Sequence, residues 1–75
     1  MPDLPSISGR EAVRAFERAG FSLDRVKGSH HILKKPGHRN ALSVPVHGNK
    51  NVKKGTLRAL IKAAGLTEDE FIAFL

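Results

Sequence analysis

Gly28-Ser29-His30-His31-Ile32-Leu33-Lys34-Lys35 reads as a tight turn feeding a strand, and its placement decides the fold. Gly28 permits the backbone turn that brings the following residues to a sheet. Alternation along a strand sends His30 and Ile32 to one face and His31 and Leu33 to the other. We place His30 on the open, basic side. Arg25 and Lys27 precede the pair and Lys34 and Lys35 follow it, so the imidazoles sit among cations. An imidazole takes and returns a proton near neutral pH, and basic surroundings hold a polyanion against it. This is the outline of a site for chemistry on nucleic acid.

Working outward, residues Phe21 to Lys27 form the preceding strand, with Phe21 and Leu23 on one face and Ser22 and Asp24 on the other. Arg25-Val26 interrupts that alternation. The second strand runs from His30 to Lys35, and Pro36-Gly37-His38-Arg39-Asn40 is a turn-rich loop in which His38 is solvated. The third strand, Ala41 to Val46, carries Leu42, Val44 and Val46 on one face, and Pro45, lacking an amide donor, puts it at an edge or ends it. Met1 to Ile7 is an extended lead-in with two prolines. Ser8-Gly9-Arg10-Glu11 fits a capping box, opening a helix to about Ala19 whose apolar stripe is Ala12, Val13, Phe16 and Ala19. Gly20 suits its left-handed end, with Phe21 folding back on Phe16. A basic loop from His47 leads into a second helix from Lys54 to Ala64, with Leu57, Leu60, Ile61 and Ala64 buried and Gly65 stopping it. Thr67 and Glu70 form a second capping box, which opens a short last helix towards Leu75. Two amphipathic helices need one sheet face to cover them. The expected architecture is α+β: helix, three antiparallel strands, helix and short helix, with both main helices on one face and the other face open.

The chain of 75 residues is expected to form a single domain, residues 1–75. Without cysteine it offers neither a disulfide framework nor a thiolate metal site. No apolar run approaches the roughly 20 residues of a membrane span, and a cytoplasmic protein is expected. The formal net charge is +6, but its distribution says more: ten basic residues and no acidic one lie between Arg25 and Thr67, with the acids before and after. A solubilising surface would mix the signs. This pattern is the footprint of a phosphate-binding protein. The four phenylalanines all fit core or staple positions, which argues against reading bases by stacking.

His47 follows the third strand. If the second and third strands pair through the short loop, the start of one lies beside the end of the other, and His47 approaches His30. Two imidazoles serve a metal-free ribonuclease: one removes the 2′-hydroxyl proton and the other protonates the leaving oxygen. No metal or cofactor is expected. Paired histidines without a carboxylate or cysteine are an incomplete ligand set, and the basic surroundings oppose a cation. Ser29, Lys27, Lys34, Lys35, Lys50, Lys53, Lys54 and Arg58 are assigned to substrate binding. The run from Lys50 to Arg58 enters the second helix, where a bound phosphate would meet free amides and relieve the unfavourable cations at the helix start.

Five pieces, Ser8-Gly9-Arg10-Glu11, Gly20-Phe21, Gly28-Ser29-His30-His31, Val44-Pro45-Val46-His47 and Gly55-Thr56-Leu57-Arg58, give the chain a family likeness. It resembles the HicA-type (YcfA-like) toxins of prokaryotic toxin–antitoxin pairs, over nearly its whole length. The family pattern usually has proline before the Gly-Thr-Leu piece, where this chain has Lys54. The resemblance implies a double-stranded-RNA-binding-domain-like fold and an mRNA interferase inhibited by a HicB-type antitoxin that covers the active site. It transfers the catalytic role to His30. The role of His47 rests on the register argument alone. A non-catalytic RNA-binding module on the same fold is the alternative reading.

Overall fold

Ser8 opens the first helix in the computed structural model, which describes residues 3–75; Met1 and Pro2 of the expected lead-in lie outside the described residues. The Ser8 hydroxyl accepts the Glu11 amide, and the Glu11 carboxylate accepts the Ser8 amide, so both halves of the capping box form. Helix α1 (Gly9–Arg18) buries Ala12, Val13, Ala15 and Phe16. Gly20, at φ +106°, turns the chain out of it, and the Phe21 amide bonds the Phe16 carbonyl. The Phe21 ring then stands edge-on to Phe16 with centroids 6.1 Å apart.

Strands β1 (Ser22–Lys27), β2 (His30–Lys34) and β3 (Leu42–Pro45) form one antiparallel sheet in the order β1-β2-β3. Gly28 and Ser29 make a two-residue hairpin turn. Gly28 is at φ +60° and, among the described residues, no non-glycine residue has positive φ, which is the type II′ pattern with glycine at its first central position. β1 departs from expectation. Phe21 lies outside the strand and is buried under α1, whereas Leu23 is exposed. The register shifts between Leu23 and Arg25, making Asp24 the extra residue of a bulge. The sequence puts the break at Arg25-Val26; the bulge resets the alternation just before it. β3 is an edge strand and Pro45 is its last residue, which satisfies both readings of that proline.

Leu33, Leu42 and Val44 from the sheet pack with Phe16, Leu57, Ile61 and Phe71 from the helices in one apolar core, so the helices share a sheet face. The lead-in contributes to this core through Leu4 and Ile7. Helix α2 (Lys54–Ala63) starts at Lys53 with no side-chain cap. A missing cap costs about 1 kcal/mol, and burying Leu57, Leu60 and Ile61 returns about 1.5–3 kcal/mol each, so packing places this helix. Gly65, at φ +77°, ends it, with the Leu66 amide on the Ile61 carbonyl. Helix α3 (Glu68–Ala73) has its complete Thr67–Glu70 capping box and buries Phe71 against Phe16.

His38 is not solvated, contrary to the sequence reading. It is half-buried, its Nε2 lies 2.7 Å from the Ala63 carbonyl at the end of α2, and its ring is edge-on to Phe21. The turn that carries it folds over the Phe21 ring, which the local sequence does not announce.

Candidate active site

β2 is the middle strand, so its residues take neighbours from both sides. On the open face, Lys27, His30 and Pro45 form one cross-strand row, and Arg25, Ile32 and Ser43 the next. On the helix face the corresponding rows are Val26, His31 and Val44, then Leu23, Leu33 and Leu42. His30 is exposed, while His31 is half-buried on the face that α1 covers. The two histidines therefore occupy different environments, as a strict period of two requires.

The Val46 amide donates to the Ser29 carbonyl at 2.7 Å. That bond ties the end of β3 to the hairpin turn and delivers His47 to His30. The two rings stand 6.5 Å apart between centroids and nearly perpendicular, at 76°. Gly48, at φ +56°, turns the chain beyond His47, and the Lys50 amide bonds the His47 carbonyl. The loop is then pinned: the Val52 amide donates to the Ile7 carbonyl and Val52 is buried. His30, His47, Lys27, Ser29 and the backbone of Lys50 thus gather at one end of the open face.

The remaining cations divide. Lys34 lies on the same face towards the other end of the strand, its Nζ 3.6 Å from the Asp24 carboxylate. Lys35 leaves this face, its stem beside Gly20 and its Nζ 5.6 Å from the Phe21 ring centroid. Lys53 and Lys54 are exposed at the start of α2, and Arg58, one turn on, is 3.8 Å from Glu68. No buried polar side chain occurs among the described residues, so these charges face solvent. A depression of about 510 Å³ lies elsewhere, between the lead-in and α1, lined by residues including Pro5, Arg14 and Leu75. It does not include either paired histidine. A polyanion needs an open charged surface rather than an enclosed pocket, so the histidine end of the sheet is the better candidate.

Sequence reading missed Gly9. A Cβ there would overlap the Pro45 carbonyl oxygen and stand 2.9 Å from the Val46 α-carbon. Glycine inside a helix's first turn, where most residues would serve, is the signal that could have found it. Arg10 and Arg14 were also missed because they lie outside the basic middle; their spacing of one helical turn marks a shared face.

The fold and site define a small basic α+β protein of double-stranded-RNA-binding-domain-like architecture, carrying an imidazole pair on its uncovered sheet face. Residues 9–66 match the family model described as the HicA toxin of bacterial toxin–antitoxin systems. A solved structure from Streptococcus pneumoniae, described as a toxin–antitoxin complex, is similar with a TM-score of 0.67 and 30% identity, covering 83% of this chain and 100% of that one. No curated protein matches. The chain belongs to the HicA toxin family.

Proposed function

We propose that this toxin is an endoribonuclease that cleaves mRNA in the cytoplasm, without a metal, through His30 and His47. The observation that carries this reading is the His30–His47 pair on the open face, 6.5 Å between centroids. At that spacing one phosphodiester reaches both rings. One imidazole removes the 2′-hydroxyl proton, and the freed oxygen attacks the adjacent phosphorus. The other imidazole gives its proton to the departing 5′-oxygen. The products are a 2′,3′-cyclic phosphate and a 5′-hydroxyl. The family resemblance implies the principal role for His30, whose place beside Lys27 puts a cation next to the scissile phosphate. Lys27, Lys50, Lys53 and Lys54 hold the flanking phosphates, and Ser29 offers its hydroxyl at the hairpin turn. A HicB-type antitoxin silences the site by covering His30. The similar toxin–antitoxin complex supports such a partner.

The test is product analysis on a defined RNA with wild type and His30→Ala. Wild type should yield ends bearing phosphate on the 3′ side, in EDTA as well as without it. His30→Ala should lose about 10²–10⁴-fold in rate while still binding RNA. Intact RNA with wild type would leave a non-catalytic RNA-binding module, and an equal rate for the variant would remove His30 from the chemistry.

A further inference from the structure

On the side of the hairpin away from His30, α1 and β2 border a groove of about 300 Å³ lined by Arg10, Val13, Arg14, Glu17 and His31. Its chemistry is unlike that of the open face. Val13 forms an apolar floor, and His31 is half-buried beside it. Val26, paired in register with His31, continues the groove onto β1 and is 54% exposed. Leu23, on the same side of the strand, is 46% exposed. Arg10 and Arg14 make no ion pair among the described residues. Two guanidinium groups without an ion pair outnumber the one carboxylate in the groove, Glu17, and Val26 and Leu23 are exposed on the same sheet face; together they suit a ligand that brings both carboxylates and apolar surface. RNA brings charge but no aliphatic surface, and aliphatic side chains give its bases no stacking platform. An acidic, apolar protein segment meets both demands.

We infer that this groove is a second docking surface for the antitoxin, which holds the β1–β2 hairpin from both sides: one part covers His30 on the open face, and an acidic segment with aliphatic residues lies along α1 and Val26 on the other. The inference rests on the reading of the chain as an antitoxin-controlled ribonuclease. His30 and His31 are adjacent in sequence and face opposite ways near the hairpin tip, so a partner that wraps the tip reaches both. The net charge of +6 favours an acidic partner on either face. The groove contributes nothing to cleavage; it sets how tightly the inhibitor stays.

The experiment measures the affinity of the toxin for the antitoxin encoded beside it, and RNA cleavage by the free toxin, for wild type, Arg14→Glu, Arg10→Glu and Val26→Asp. All three positions are solvent-exposed, and circular dichroism checks the fold; the arginine variants remove no apolar packing and keep the test valid if Val26→Asp unfolds. Each variant should weaken antitoxin binding at least about tenfold, and cleavage should be unchanged. Unchanged antitoxin affinity in the folded variants overturns the inference and leaves the ribonuclease reading intact. Loss of RNA cleavage or binding with antitoxin affinity unchanged overturns it in favour of a nucleic-acid surface. If wild type itself binds no antitoxin, both the inference and the antitoxin reading fail.

Discussion

Gly9 packs its bare α-carbon against the carbonyl of Pro45, so the first turn of α1 leans directly on the end of β3. Two residues beyond Pro45 stands His47. The start of a helix on one side of the sheet thereby sets where an imidazole lies on the other.

Gly9→Ala should destabilise the protein by about 1–3 kcal/mol, because the new methyl must displace backbone rather than a flexible side chain. Gly55→Ala, by contrast, adds its Cβ to open space within α2 and should stabilise by up to about 1 kcal/mol. Urea unfolding of both variants checks the contrast. Cleavage should fall with Gly9→Ala even at temperatures where it remains folded, since His47 moves with the strand end.

His30→Ala and His47→Ala should each slow cleavage by about 10²–10⁴-fold. Acid and base serve one turnover, so the double variant should be little worse than the poorer single variant. Single-turnover rates on one RNA decide the matter, and a multiplicative double effect would count against a shared step.

RNA affinity should fall steeply with salt. If Lys27, Lys50, Lys53 and Lys54 each neutralise one phosphate of a single strand, log K against log salt should have a slope of about −2.8. Replacing Lys53 and Lys54 by alanine should make it shallower by about 1.4. Lys35→Ala should leave it unchanged, because that side chain lies over Phe21 rather than on the open face. Fluorescence anisotropy on the non-cleaving His30→Ala protein provides the measurement.

His38→Ala should cost about 1–2 kcal/mol of stability through the lost bond to the Ala63 carbonyl and the lost edge contact with Phe21. Cleavage by the folded variant should be unchanged. Thermal unfolding alongside an activity assay separates the two effects.

Local rules carried much of the fold into the sequence. Both capping boxes, the glycine ends at Gly20 and Gly65 and the Gly28-Ser29 turn follow from residues within a few positions of one another. The His30–His47 approach was legible because register in a short antiparallel pair is constrained by its faces. What stayed hidden depends on distant chain. His38 meets α2 only because the loop folds across Phe21. Alternation already sends Lys35 to the face opposite Lys34, but its seat over the Phe21 ring, like the purpose of Gly9 against Pro45, shows only in the fold. Asp24 is a bulge because neighbouring residues of β1 must hold register with β2, a requirement that its own side chain does not express.

The bulge at Asp24 has a consequence for the chain when it is alone. β1 is a sheet edge whose every residue is exposed, and an unbroken ribbon of that kind invites a second copy to stack beside it. The extra residue spoils the ladder's spacing, and Asp24, Arg25 and Lys27 bring charge to the same rim. Copies of the chain therefore resist pairing edge to edge through β1.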